Sequence, residues 1–154
     1  MSHLHIPDGV LPLVLWGPGL ALALLLLGLT AWTLRRRSPQ DLAYQGALGA
    51  LMLAVMAVEL PLGPFEYHLS LVGPVGVLLG PAAAFQAVFV VNAILALLGH
   101  GGFTVIGLNA LVLGSGAALA RPVYGLLARR GSAVVAMTGA TLVAQTVAGA
   151  MWLV

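Results

Sequence analysis

The first residues of the chain carry the side chains with the clearest chemistry. Met1-Ser2-His3 offers an α-amine, two backbone amides and an imidazole, which together can close three fused chelate rings. Four nitrogens in one plane are the arrangement that square-planar Ni(II) or Cu(II) prefers. His5 adds another nitrogen donor two residues later. This pattern predicts a transition-metal site, and the simpler alternative is that a histidine at position 3 is accidental.

The residues that follow give this segment a defined shape. Pro7 fixes its own φ angle and disfavours helix at Ile6, and Asp8-Gly9 is a dipeptide typical of turns. We therefore expect residues 1–12 to be an extended segment that ends in a turn, with Asp8 making that turn or capping the first helix.

The composition indicates that these donors belong to a membrane protein. Of the 154 residues, 61% are hydrophobic and 6% are charged, and the mean hydropathy is +1.09. A typical soluble domain has about 25% charged residues. The shortage of charge excludes a disordered chain, a coiled coil and a nucleic-acid-binding protein. The chain has no cysteine, which excludes disulfides, thiolate metal sites and cysteine nucleophiles.

Six apolar stretches approach the roughly 20 residues that a helix needs to cross the hydrocarbon core. We predict a single all-α integral-membrane domain over residues 1–154, a polytopic helix bundle with the N-terminal segment folded into its outer mouth. The third stretch is short and ends at Gly80-Pro81, which we interpret as a tight turn because proline is tolerated in a first helical turn. The predicted spans are residues 13–34, 42–60, 69–80, 81–99, 103–120 and 132–154.

The arginines predict how the bundle is oriented. Arginines concentrate on the cytoplasmic side of membrane proteins. The arginines at 35–37 follow the first span. If the chain crosses the membrane six times, Arg121 and the pair at 129–130 lie on the same side as these arginines, whereas five crossings would put them on the opposite side. The N-terminus is then extracytoplasmic in a cell (inner) membrane. All four histidines and three of the four acids fall on that outer side: His3, His5, His68, His100, Asp8, Glu59 and Glu66. The simpler alternative is that loops hold polar residues in any membrane protein.

Within the spans, amides and small residues are expected to serve helix packing. Gln86, Asn92 and Gln145 lie inside spans, where amides commonly hydrogen-bond between helices. Small residues recur every four positions in several spans and allow helices to approach closely. The last span has the most regular series, and a partner helix is the alternative occupant of its face, which is formed by Ala136, Ala140, Ala144 and Ala148.

Three sequence blocks are more specific than these patterns. They read HIPDGVLP at 5–12, YHL at 67–69 followed by GVLLGP at 76–81, and LGHGGFT at 98–104 followed by GLN at 107–109. Together with the basic pair at 129–130, they resemble the cobalt/nickel substrate-capture subunits of energy-coupling-factor transporters, the CbiM/NikM-like S components. The resemblance covers most of residues 5–130.

The resemblance implies which residues form the site. In that family the metal is held by the N-terminal segment and by a histidine from an outer loop, which correspond here to His5 and His68. A carboxylate beside a ligand histidine can orient its ring. The predicted metal ligands are therefore Met1, His3, His5 and His68, and the predicted surrounding residues are Asp8, Glu59, Glu66, His100 and Asn109.

The chain departs from the family pattern at its start. In the family the signature histidine is residue 2, so that the α-amine itself completes the plane, whereas here it is residue 5. Either His3 takes over the amine chelate while His5 and His68 assist, or translation begins at Leu4 and restores a histidine at position 2. We favour the first. Family members also generally have seven helices and continue beyond the last residue of this chain, which bears on how partners would dock.

The function that the resemblance implies is capture of nickel or cobalt for an ATP-driven importer. The metal would be cargo, so that no catalytic residue, cofactor or enzyme activity is expected, and no G-x-x-x-x-G-K-[ST] sequence is present to bind nucleotide. The expected partners are membrane lipid, a transmembrane coupling subunit and ATPase subunits, without nucleic acid. A self-contained metal channel or secondary transporter is the alternative. The shortage of charged residues along the inner halves of the spans counts against it.

Overall fold

The computed structural model describes residues 8–62 and 65–151, and for residues 59–62 and 65–68 it describes the backbone alone. The described residues form a bundle of six helices with one short hairpin. The helices are α1 (Leu13–Thr33), α2 (Pro39–Met56), α3 (Val72–Leu79), α4 (Pro81–Leu97), α5 (Ile106–Ala128) and α6 (Ala133–Met151), and the strands are β1 (Glu59–Leu62) and β2 (Phe65–His68). The all-α prediction and its six helices are confirmed, and the antiparallel hairpin β1–β2 is an addition.

Three of the predicted span boundaries need correction. α2 ends at Met56 rather than residue 60, because Pro61 favours extended backbone at the residue before it and the chain turns into β1. α3 begins at Val72 rather than residue 69. α5 continues to Ala128 rather than ending at residue 120, because the helix absorbs Pro122 in its interior. A proline there removes one backbone hydrogen bond but does not end this helix.

Length and composition separate the helices into two groups. Among the described residues, α1, α5 and α6 are long and apolar enough to cross a membrane, and α4 is an apolar helix of 17 residues. The eight residues of α3 extend only about 12 Å along its axis, which is less than half of the hydrocarbon core. α3 is therefore too short to cross a membrane by itself.

Close contacts establish which helix ends lie together. Gly19 and Gly107 bring α1 beside α5, Gly114 approaches Phe85 of α4, and Gly116 approaches Ala144 of α6. These contacts show that successive helices run in opposite directions through the bundle. One end, here called the arginine end, holds the arginines at 35–37 and 129–130, with Arg121 nearby in α5. The opposite end, here called the histidine end, holds the start of α1, the hairpin, and the connection between α4 and α5.

α3 lies deep between α5 and α6 because glycines allow it to touch their backbones. A Cβ on Gly76 would overlap the Ala117 carbonyl of α5, and a Cβ on Gly73 would lie 2.6 Å from the Thr141 Cα near the middle of α6. Such approaches gain van der Waals contact that lipid cannot supply. α3 thus occupies the arginine half of the bundle. The residues that precede α3, residues 69–71, are a non-helical segment that we call the strap.

The small-residue face of α6 is used inside this chain. Its four alanines are buried, at 0% to 3% exposure, and two of them contact Val77 of α3 and Ala120 of α5. The opposite face of α6 is apolar and exposed, as Val134, Val135 and Leu142 illustrate. The alternative that the alanine face receives a partner helix is therefore wrong, because α3 and α5 already occupy it.

The reversal between α3 and α4 follows the predicted turn. Gly80 has φ +76°, a conformation that side chains rarely adopt, and Pro81 is the first residue of α4. The Arg121 side chain lies so close to Gly80 that an added Cβ would be 2.6 Å from its Nη1. Gly80 is therefore required both by its φ angle and by the neighbouring guanidinium.

Replacing Gly76 by alanine should destabilise the bundle. The new methyl group would meet the α5 backbone, which cannot move aside as a flexible side chain does, and overpacking of this kind costs about 1–3 kcal/mol. Gly46→Ala is the matched control, because no atom lies within 4 Å of a Cβ at that position. Thermal unfolding in detergent measures both. A Gly76→Ala protein that melts no lower than Gly46→Ala would contradict the close packing of α3 against α5.

Candidate functional site

The predicted site residues fall at the histidine end wherever the structure describes them. Met1, His3 and His5 lie outside the described residues. His68 ends β2, and its side chain is also outside the description. The described part of the candidate site therefore consists of Asp8, the hairpin backbone, the strap and the connection between α4 and α5.

Asp8 joins the N-terminal segment to the connection between α4 and α5. Its Oδ2 accepts a hydrogen bond from the backbone N–H of Phe103 at 3.0 Å. Its Oδ1 accepts two more, from the backbone N–H of Thr104 at 2.8 Å and from the Thr104 hydroxyl at 2.7 Å. We call this set of three hydrogen bonds the Asp8 latch. It fixes residue 8 against residues about 95 positions later in the chain.

The latch corrects part of the prediction for Asp8. A turn does form at residues 8–9, as expected. The first helix, however, begins after Pro12 without a side-chain cap. The carboxylate instead satisfies N–H groups just ahead of α5, and Phe103 and Thr104 were not predicted as its partners. The sequence feature that could have indicated this contact is the joint presence of the HIPDG and HGGFT blocks, because neither block alone indicates a contact.

The latch depends on the ionised form of Asp8. Hydrogen bonds from Thr104 and then Phe103 lower the pKa of the carboxyl below its ordinary value of 3.8 and outweigh the opposing effect of desolvation. A group whose pKa is lower in the folded state contributes its full stabilisation above the unfolded pKa. That contribution is lost as the pH falls through the folded pKa. The latch should thus be insensitive to pH across the range in which histidines titrate.

His100 is held by the turn that ends α4. The backbone N–H of His100 donates to the Leu95 carbonyl at 2.8 Å, and that of Gly99 donates to the Ala96 carbonyl at 3.0 Å. Gly99 has φ +82°. This pair of bonds around a left-handed glycine is the Schellman arrangement of a helix C-terminus. It sets the backbone of His100 at the histidine end, where the side chain is half-buried.

The hairpin register relates three of the predicted residues. The Cα partners are Glu59 with His68 and Pro61 with Glu66. Directly opposite positions of an antiparallel pair belong to one face, and so do positions two apart along a strand. The backbone therefore assigns Glu59, Glu66 and His68 to the same face of the two-stranded ribbon.

The strap is attached to α6 by a side chain. The Gln145 amide nitrogen donates to the Ser70 carbonyl at 3.1 Å. The Ser70 hydroxyl accepts a hydrogen bond from the Val72 N–H at 3.3 Å, at the start of α3. Ser70 is thus bonded to two helices, and it lies two residues after His68.

The other intramembrane amides lie away from these groups. Gln45 of α2 donates to Gln86 of α4 at 3.0 Å and to the Ala83 carbonyl at 3.2 Å, towards the arginine end. The contact between Gln45 and Gln86 is interhelical, as predicted, whereas Gln145 reaches from α6 to the non-helical strap. Asn92 differs, because its amide donates at 2.8 Å to the Val88 carbonyl of its own helix.

The remaining candidates add no ligand set to the described residues. Asn109 lies in the first turn of α5, and its N–H donates to the Val105 carbonyl at 2.9 Å. Over the residues whose side chains are described, no group of three or more histidines and acids is placed to hold a metal ion. A cavity of about 360 Å³ opens between α2 and α4, but its lining is apolar apart from Gln45 and Gln86. It contains none of the predicted site residues.

Comparisons with known proteins give a consistent family match. The model of a family described as the cobalt uptake substrate-specific transmembrane region, CbiM, matches residues 5–154. A cobalt transport protein CbiM of Sorangium cellulosum is 33% identical over 139 residues, which are 84% of this chain and 60% of that protein. A putative fused cobalt transport protein CbiMQ of Methanocorpusculum labreanum is 33% identical over 122 residues, 76% of this chain and 20% of that protein.

Solved structures match the fold. A transition metal transporter superposes with a TM-score of 0.85 at 22% identity, covering 96% of this chain and 67% of that one. A truncated transition metal transporter gives the same score and identity and is covered to 72%. The chain therefore shares the fold of these transporters, and it spans about 60% of the length of the Sorangium relative.

Removing the Asp8 carboxylate should release the residues ahead of α5. We expect Asp8→Ala to accelerate hydrogen exchange at the Phe103 and Thr104 amides, because both lose their acceptor. Hydrogen-exchange mass spectrometry of the peptide spanning residues 100–105 measures the effect. The matched control is Asp41→Ala, which removes an aspartate from the capping box of α2 at the arginine end. Unchanged exchange in Asp8→Ala would disprove the latch.

Proposed function

The chain belongs to the family of cobalt uptake substrate-specific transmembrane regions, and we propose that it captures a divalent transition metal, nickel or cobalt, for an ATP-driven energy-coupling-factor importer. The observation that carries this proposal is the Asp8 latch. It holds residue 8 against the connection that contains His100, at the end of the bundle that also bears the hairpin with His68.

The donor chemistry supports a transition metal as cargo. Imidazole and amine nitrogens suit Ni(II), Co(II), Cu(II) and Zn(II), and the family description favours cobalt among them. We propose that the α-amine of Met1 and the imidazoles of His3, His5 and His68 are the ligands. Asp8 holds the N-terminal segment over the mouth, and His100 and Asn109 shape the surrounding pocket.

The acids of the hairpin complete the proposed site. Ligating histidines usually donate their second ring nitrogen to a carboxylate or carbonyl, which fixes the ring orientation. Glu59 is the register partner of His68, and Glu66 shares its face of the ribbon. We assign that orienting role to Glu59, because the directly opposite position is the nearer of the two.

The distribution of arginines supports one orientation in the membrane. All six arginines lie towards one end of the bundle, and a basic end is normally cytoplasmic. The histidine end then faces the extracytoplasmic side of the cell membrane. Metal would be captured there, beneath the N-terminal segment, and released inward when partner chains act.

Partner chains would supply the energy. The sequence has no phosphate-binding loop of the Walker type, so that ATP hydrolysis would occur in separate ATPase subunits. The Methanocorpusculum relative is named as a fusion of CbiM with CbiQ, which supports a membrane-bound coupling subunit as a direct partner.

The interior of the bundle supports capture by a subunit over conduction by a self-contained channel. Among the side chains that the structure describes, Asn92 is the polar one that is buried, and its amide is committed to the Val88 carbonyl. An ion crossing an apolar bundle needs substitute ligands along its path. The described core between the two ends is lined instead by valine, alanine and leucine.

Substituting the proposed ligands should abolish tight metal binding. We expect His5→Ala and His68→Ala each to weaken nickel or cobalt binding by about 100-fold or more, because loss of a ligand exceeds the 10- to 100-fold cost of losing a group behind one. His100→Ala should cost less than tenfold. Titration calorimetry on the purified chain measures each affinity. Wild-type affinity in both His5→Ala and His68→Ala would refute the proposed site.

The role of His3 is tested separately. His3→Ala should weaken nickel binding if the amine chelate begins at Met1, and the intact mass of the purified protein establishes where the chain starts. Wild-type affinity in His3→Ala would remove His3 from the ligand set.

Liposomes that contain this chain alone should bind metal without transporting it. The proposed function assigns translocation to partner subunits, so we expect tight binding and no sustained flux of nickel or cobalt into the vesicles. An ionophore-treated sample provides the positive control for flux. Sustained uptake by the chain alone would instead support the channel or secondary transporter.

A further inference from the structure

We infer that Gln145 of α6 is a positioning residue for His68, acting through the strap. The inference rests on the proposed function, because it concerns how the imidazole of His68 is presented to the metal. Its basis is the hydrogen bond from the Gln145 amide to the Ser70 carbonyl at 3.1 Å. The hairpin and α3 are thereby attached to the last helix of the bundle at the point where the chain is not helical.

The Ser70 carbonyl of the strap needs a hydrogen-bond donor. Residues 69–71 are non-helical backbone between the outer hairpin and a helix that begins near the middle of α6. Backbone polar groups at membrane depth must be satisfied within the protein. The ladder of α3 begins with the Leu71 carbonyl, which accepts from Val75 N–H at 2.9 Å. The Ser70 carbonyl lies one residue too early for that ladder, and Gln145 supplies its donor.

The same bond limits where His68 can be. Two residues of extended chain span at most about 7 Å, so that the backbone of His68 cannot move far from the attached carbonyl. The Ser70 hydroxyl is also engaged, by the Val72 N–H at 3.3 Å. Both bonds hold Ser70 itself, its carbonyl to α6 and its hydroxyl to the start of α3. Metal–ligand distances fall within about 0.2 Å of their usual values, and release of Ser70 would allow the backbone of His68 to move by more than that.

The chain offers a matched amide for comparison. Gln45 makes the same kind of bond as Gln145, from a glutamine amide to a distant backbone carbonyl, at 3.2 Å to Ala83, and it also bonds to Gln86 and Arg37. Both side chains are part-buried. Gln45 lies at the arginine end, and its loss changes helix packing without touching the strap. A purely structural role predicts similar effects of the two substitutions on metal binding, and a positioning role predicts different effects.

The test replaces each glutamine by methionine, which preserves length and removes the donor. In the full chain we expect Gln145→Met to raise the nickel Kd by about 10-fold or more and to shift the visible absorption band of the nickel complex. Gln45→Met should leave both unchanged. The unfolding temperature of the metal-free protein should fall at least as far in Gln45→Met as in Gln145→Met, because Gln45 makes more of the described hydrogen bonds. A nickel Kd of Gln145→Met within twofold of that of Gln45→Met would overturn the inference.

A second variant covers the case in which Gln145→Met does not fold. Gln145→Leu is close to glutamine in size and has no donor in any protonation state, so we expect the same loss of nickel affinity. Unchanged affinity in folded Gln145→Leu would also overturn the inference. His68→Ala separates the two proposals. If it does not weaken binding, the proposed site is wrong, whereas a loss in His68→Ala without a loss in the Gln145 variants overturns the inference alone.

Discussion

The requirement that backbone polar groups find partners inside the protein governs the histidine end of this bundle. Elsewhere the helices satisfy their own N–H and C=O groups. At the histidine end the described backbone is non-helical at residues 8–12, in the hairpin and the strap, and in the connection after α4. Side chains from distant parts of the sequence supply the missing partners there, Asp8 for the N–H groups of Phe103 and Thr104 and Gln145 for the Ser70 carbonyl. Satisfying the backbone and assembling the proposed site are therefore parts of one structural solution.

The short α3 makes that solution necessary. Its glycines allow it to lie against the backbones of α5 and α6 in the arginine half of the bundle. Because it begins only at mid-depth, the histidine half retains irregular backbone in place of another regular helix. Discontinuous helices of this kind are common where membrane transporters bind substrates. The position of the eight-residue α3 thus connects two features of the bundle. One is the set of glycines where α3 contacts α5 and α6, and the other is the set of polar contacts made by the non-helical backbone that precedes α3.

Much of the fold could be predicted from the sequence, because hydropathy and turn residues act locally. The helical class, the six helices and the Gly80-Pro81 reversal all follow from such signals. The hairpin was missed, since four-residue strands are too short to show an alternating pattern. The length of α5 was underestimated because Pro122 usually ends a helix, and here packing overrides that preference.

The positions of the described candidate residues were predicted better than their contacts. Counting crossings assigned Asp8, the residues of the hairpin and His100 to one end of the bundle, where the described backbone has them. The partners of Asp8 and Gln145 could not be predicted, because they lie about 95 and 75 residues away in sequence and are brought close only by the tertiary fold. The ligand set itself remains a prediction, since Met1, His3, His5 and the side chain of His68 lie outside the described residues.

The turn after α4 divides its tasks between two neighbouring residues. Gly99 supplies the left-handed backbone of the turn and the backbone N–H of residue 100 closes it, so that these hydrogen bonds of the turn do not depend on the side chain at position 100. The protein also contains no cysteine. A single thiol introduced at position 100 would therefore be chemically unique, and a fluorophore or spin label attached to it would observe the rim of the bundle with the surrounding turn still intact.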